Sequence, residues 1–149
     1  MARPCDARRR LRCPRRRPPG HLRALILLLD AHAVLGWLAA DRTLSRQARA
    51  AIRDPGNDVL VSAVTVWEIE IKRALGKLDA PEGIVAAVEA TGFAGIPVGL
   101  KDAEEAGRLP PHHRDPFHRM LVAQARRLDA VIVIRDASFE PYEVETLTA

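Results

Sequence analysis

The run ALILLLD, Ala24–Asp30, decides how the rest of this chain is read. Six apolar residues stand together and then stop on a carboxylate. That is too short for a membrane span and fits a strand buried on both faces. Two further stretches behave alike: DVLVS, Asp58–Ser62, and VIVI, Val131–Ile134.

Helical stretches fill the gaps between these runs. Ala31–Ala40 and Leu44–Asp54 read as helices, followed by a turn at Asp54-Pro55-Gly56-Asn57. Ser62 is placed to cap a helix over Ala63–Gly76, which Gly76 ends. Pro81–Thr91 reads as a helix opened by its proline and stopped by Gly92. Gly95–Gly99 reads as a short strand whose proline puts it at an edge. Lys101–Leu109 is helical, Pro110–His113 is a loop, and Pro116–Leu128 is a strong helix. Glu143–Leu147 adds an edge strand. Strands alternating with helices imply an α/β fold with a parallel sheet covered on both faces. In such sheets ligands sit beyond the carboxyl ends of the strands, so residues just after a strand are searched first.

Length and composition agree with one domain. The 149 residues are 48% hydrophobic and 28% charged, ordinary for a globular chain. The two cysteines, Cys5 and Cys13, lie in the leading segment. No disulfide framework or cysteine-rich zinc site holds the body, which suits a reducing cytoplasm. The net charge of +4 is unevenly spread: residues 1–24 hold nine arginines against one acid, and the remainder holds 14 basic and 18 acidic residues. The body is therefore mildly acidic, and no general nucleic-acid-binding surface follows from the charge. Residues 1–21, rich in arginine and proline, read as a disordered extension, with residues 22–149 as the domain. An RNA-binding arm, a targeting signal and a start codon placed too far upstream compete as explanations, and the last is preferred. No stretch is long enough to cross a membrane.

Acids follow the strands. Asp30 directly follows the first run, and Asp136 stands two residues after VIVI. If both strands are central and parallel, the two carboxylates converge at one sheet edge. Each alone also fits helix capping. Glu68 borders an apolar stripe of Val64, Trp67, Ile71, Ala74 and Leu75 at helical spacing. Its bland alternative is an exposed Glu68–Lys72 pair at i,i+4, worth about 0.3–0.5 kcal/mol. Asp115 before Pro116 is a standard helix start, and His118 falls at the third helical position. Carboxylates gathered in one pocket repel one another unless a cation joins them. Oxygen ligands suit Mg²⁺ or Mn²⁺, which supports phosphodiester cleavage.

The blocks LILLLDAHAVLGWL, VSAVTVWEIEIKRALGKL, HHRDPFHRMLVAQARRL and VIVIRDASFEPYEVETL together resemble the successive motifs of PIN-domain proteins, in particular VapC-type toxins of bacterial toxin–antitoxin pairs. The resemblance runs from about residue 22 to the end. It implies a three-layer PIN-like fold with a central, mostly parallel sheet flanked by helices. It further implies a Mg²⁺- or Mn²⁺-dependent ribonuclease, a homodimer, and silencing by a cognate antitoxin. Carried over residue by residue, Asp30, Glu68, Asp115 and Asp136 are the catalytic acids. Asp30, Asp115, Asp136 and His118 are the metal-facing set. Apart from the resemblance, Arg119 is a candidate contact for an RNA phosphate or a partner for an acid, and the sequence does not decide between them.

The third block departs from the pattern. Relatives carry aspartate at the positions of both 115 and 118, whereas this chain has His118. Three outcomes follow: a neutral imidazole ligates, Asp115 substitutes, or metal affinity falls. Two functions therefore stand side by side. One is an endoribonuclease toxin; the other is a catalytically weakened PIN-like protein that binds another protein. His32 is expected to orient a neighbour or to pack, and His112 and His113 to be solvated in a loop.

Overall fold

The computed structural model describes residues 24–112, 114–135 and 142–149. The expectations for residues 1–21, His113 and Asp136 fall outside that set. Five parallel strands form one sheet in the order β3-β2-β1-β4-β5. They are β1 (Ile26–Leu29), β2 (Asp58–Ser62), β3 (Ala94–Ile96), β4 (Val131–Ile134) and β5 (Thr146–Thr148). The helices are α1 (Ala31–Leu38), α2 (Arg46–Arg53), α3 (Ala63–Ala74), α4 (Ile84–Thr91), α5 (Leu100–Arg108) and α6 (Pro116–Leu128).

The unbroken apolar runs do what their pattern implies. Leu27 and Leu29 of β1 and Val131 and Val133 of β4 point into one layer, with Ala33, Val34, Ala48, Ile52, Ile84 and Val88 of α1, α2 and α4. Leu28, Ile132 and Ile134 point the other way, onto Leu121, Val122 and Ala125 of α6 and onto Leu109 and Tyr142. Side chains alternate along a strand, so a run apolar at every position is stable only when both faces are covered. Each fully buried leucine contributes roughly 1.5–3 kcal/mol. The expected three-layer α/β architecture is present, and its sheet is parallel throughout.

Five expectations need correction. The short strand expected over Gly95–Gly99 is Ala94–Ile96, with Pro97 just outside it, and it does lie at a sheet edge. The helix expected over Pro81–Thr91 begins at Ile84, because Gly83 caps it in the left-handed region at φ 72°; Pro81 stands outside. Gly92 ends that helix at φ 81°, as its position suggests. The last strand is Thr146–Thr148 rather than Glu143–Leu147, set by parallel pairing of Ile132, Val133 and Ile134 with these residues.

The stripe on α3 is the most instructive error. Val64 is buried, but Trp67 is 61% and Leu75 63% exposed. The buried face carries Val64, Thr65, Glu68 and Ile69 instead. The helix straddles the two layers, with Val64 in one core cluster and Ile69 in the other. Glu68 lies between them and does not border a stripe. The pair with Lys72 exists, but its carboxylate is 2% exposed, so it is not an exposed pair.

Candidate active site

The site lies at the carboxyl end of β1, where the strand order switches from β2 on one side to β4 on the other. The Asp30 amide donates to the Val133 carbonyl at 3.1 Å and so extends the β1–β4 pairing by one residue. Its side chain then caps α1, with Oδ1 accepting from the Ala33 amide at 2.7 Å. Capping and siting at the sheet edge are thus properties of one residue, not alternatives.

At the end of β2, Ser62 caps α3, its Oγ accepting from the Val64 amide at 3.2 Å. One residue further on, the Thr65 hydroxyl donates to the Leu29 carbonyl at 3.2 Å. This bond ties α3 to the tip of β1 and sets the next turn, which carries Glu68, beside Asp30. Burial pushes the Asp30 carboxyl up to about 7. The Ala33 amide opposes that shift, the charge of Glu68 adds to it, and Lys72 and Arg135 reduce it.

Glu68 shares one oxygen with Lys72, Oε1 accepting from Nζ at 2.5 Å. Its other oxygen, Oε2, is buried without a hydrogen-bond partner. A buried carboxylate oxygen left in that state is costly and calls for a cation or a donor.

The third side of the site comes from α6. Asp115 caps it, Oδ1 accepting from the amides of Phe117 at 2.9 Å and His118 at 3.4 Å, with Pro116 in the first turn. The His118 side chain is 14% exposed, its Nδ1 3.7 Å from Asp115 Oδ2. Packing of α6 against α3 includes an edge-on contact of Phe117 with Trp67, centroids 5.3 Å apart. As a result, one ligand atom each from Glu68, Asp115 and His118 lie within 4.8 Å of one another. Two carboxylates, one with a buried unpartnered oxygen, and an imidazole form a donor set that fits a divalent cation.

The structure therefore brings Glu68, Asp115 and His118 together, with Asp30 close enough to Glu68 to feel its charge. Arg119, expected at an RNA phosphate, directs its guanidinium to the carbonyls of Ala106, Gly107, Leu109 and Pro110, closing the end of α5. His32 is exposed, and its pKa is lowered by partial burial and by the charges of Arg135 and Lys72, against the opposing charge of Glu68. It lines an open groove of about 280 Å³ with Arg135, Asp41 and Thr43. His112 is exposed and stacks edge-on against Tyr142 at 5.3 Å. Sequence reasoning overlooked Thr65 and Arg135. The position of Arg135 directly after a buried strand was a usable signal; nothing local marked Thr65.

A family model described as PIN domain matches residues 27–144. No curated protein matches the chain significantly. Among solved structures, a VapBC2 complex of Rickettsia felis bound to a promoter DNA fragment is similar at TM-score 0.61 and 11% identity, over 83% of this chain and 98% of that one. A DNA-bound VapBC of Salmonella typhimurium gives TM-score 0.61 and 17% identity, over 83% and 97%. FitAcB of Neisseria gonorrhoeae gives TM-score 0.53 and 15% identity, over 82% and 96%. At these identities the structural likeness speaks for the fold.

Proposed function

The chain belongs to the PIN-domain family, and from that premise we propose that it is a metal-dependent endoribonuclease toxin of the VapC type, neutralised by a cognate antitoxin. The observation that carries this reading is the meeting of Glu68, Asp115 and His118, with one oxygen of the Glu68 carboxylate buried and without a partner. Residues 22–149 are the catalytic domain in this reading, and the chain acts as a homodimer. Support for the antitoxin comes from the VapBC and FitAcB complexes among its structural neighbours. No described helix is long and apolar enough to cross a membrane.

Glu68, Asp115 and His118 would hold the ion, Mg²⁺ or Mn²⁺. Asp30 and Asp136, which follow β1 and β4 in sequence, supply further carboxylates. When bound, the ion offsets charge at a phosphodiester and favours ionisation of water. The chain does the rest. Asp30 is pushed up to about 7 by burial in the metal-free chain, and a cation beside it would favour its charged, ligating form. Arg135 and His32, in the groove beside Asp30, face the sugar–phosphate backbone of the RNA. Arg119 holds the loop that leads from α5 to Asp115.

RNA cleavage by the full chain, stripped of metal and then supplied with Mg²⁺ or Mn²⁺, tests the reading. Asp30→Asn and Glu68→Gln are each expected to lower the rate about a hundredfold or more. Cleavage that persists in chelator, or survives both substitutions, overturns it. A second reading, a catalytically inactive PIN-like protein-binding module, is favoured by His118 in the cluster and by Lys72 on Glu68. Activity that appears only in His118→Asp selects that reading.

A further inference from the structure

Resting on the metal-dependent reading above, we propose that the Glu68–Asp115–His118 site selects an ion that accepts imidazole nitrogen, of the Mn²⁺, Co²⁺ and Zn²⁺ series, over Mg²⁺, and that His118 sets this preference. The geometry carries the first step. His118 is not on the rim: its ring is largely buried, with a nitrogen within 4.8 Å of oxygens of both Glu68 and Asp115. An ion held by the Glu68 carboxylate, one oxygen of which has no partner, therefore meets a nitrogen donor beside its second carboxylate.

The charge balance carries the second step. Only two of the three ligands are carboxylates, and one of these already shares an oxygen with the Lys72 ammonium at 2.5 Å. A hard ion that prefers oxygen ligands, as Mg²⁺ does, gains little from the imidazole that fills the third place among these described ligands. Ions later in the first transition row gain from imidazole ligation as well as from charge, and their affinity rises along the series. Lys72 thus weakens the purely ionic part of binding while His118 supplies the part that discriminates.

The third step concerns exchange of ligands. His118 is fixed by the first turn of α6, whose start is set by the Asp115 cap and Pro116. The donor type at this corner is therefore a property of the side chain at 118 and can be changed without moving the helix start.

The test titrates metal-free full chain with Mn²⁺ by electron paramagnetic resonance, with Co²⁺ by visible absorption, and with Mg²⁺ by competition against Mn²⁺. Proteins in general favour Mn²⁺ over Mg²⁺, so the diagnostic is the change in ratio. His118→Asp is expected to narrow the Mn²⁺-to-Mg²⁺ affinity ratio by about tenfold or more and to lose the nitrogen contribution to the Co²⁺ spectrum. His118→Asn, which keeps a neutral side chain of similar size, is expected to weaken Co²⁺ binding without improving Mg²⁺ binding. A ratio unchanged in His118→Asp overturns the proposal, as does a Co²⁺ spectrum the same in all three proteins. Selective binding without RNA cleavage sinks the nuclease reading and leaves this one standing. Cleavage supported equally by Mg²⁺ and Mn²⁺, with an unchanged ratio in His118→Asp, does the reverse. Absence of any metal binding ends both.

Discussion

Asp30 and Asp102 are equally buried, each 2% exposed, yet the chain treats them in opposite ways. Burial pushes Asp102 upward, but Arg127 and the Gly99 amide outweigh it, and its pKa is lowered. Arg127 grips both oxygens, at 2.5 and 3.1 Å, and the Gly99 amide adds a third bond at 3.0 Å. This carboxylate ties the start of α5 to the end of α6 and needs nothing more. Asp30 receives one amide, faces the charge of Glu68, and is pushed up to about 7. Glu68 beside it keeps a buried oxygen without a partner. One region is fully bonded; the other, among the described residues, leaves a buried carboxylate oxygen without a hydrogen-bond partner. A fold that satisfies one buried acid this fully and leaves an oxygen of another open is suited to a cation supplied from outside.

The largest expected effect breaks the satisfied side. Asp102→Ala removes a buried acceptor of three bonds and lowers unfolding free energy by about 2–4 kcal/mol. A urea midpoint measures it, and Mn²⁺ affinity should stay unchanged. A matching loss of metal affinity would show the two regions are not independent.

Asp30→Asn should go the other way in metal-free protein. With a folded pKa of about 7 against 3.8 for the ordinary group, the native state holds the proton more tightly than the unfolded chain between those values. The contribution of Asp30 to stability is present below pH 3.8 and is lost progressively as pH rises to about 7. Asparagine keeps the cap and carries no charge. The variant is expected to be more stable by about 1–3 kcal/mol at pH 8, and by less at pH 5, in thermal melts with chelator. A variant less stable than the parent at pH 8 would mean that the charges of Lys72 and Arg135 outweigh the burial of Asp30.

Smaller again is Lys72→Met. The ammonium is partly exposed, so its removal should lower stability by only about 1 kcal/mol in chelator. Addition of Mn²⁺ should restore more of the loss than it adds to the parent protein. If the ion stabilises both equally, Lys72 and the ion do not share Glu68.

The sequence carries the framework well. Asp58–Ser62, Pro116–Leu128 and Val131–Ile134 are read with the bounds the structure has. Their signals are local: a solid apolar run, or an Asp-Pro start before a periodic stretch. The α3 error has a different origin. Apolar residues occupy two flanks of that helix, and spacing alone cannot say which flank meets the sheet. Choosing the flank of Trp67 and Leu75 took the exposed one. The bond from Thr65 to Leu29 joins residues 36 apart, and no window along the chain contains both. For the same reason, Asp30, Asp115 and His118 are visible as candidates in the sequence. The closeness of Glu68 to the last two depends on how α3 and α6 pack. Likewise, Pro81 fits a first-turn proline by type, but Gly83 two residues later takes the left-handed conformation and starts the helix.

The edge-on stacking of Trp67 on Phe117 has an optical consequence. These rings belong to the residues immediately before Glu68 and His118, one on each helix that flanks the site. The indole is an emitter whose yield and wavelength respond to its neighbours and to water. The other tryptophan, Trp37, stacks on Phe93 at 5.9 Å in the opposite layer. With Trp37→Phe in place, native emission comes from a single ring sitting over the junction of α3 and α6. Any ligand that draws those two helix starts together carries its own reporter, with no dye attached.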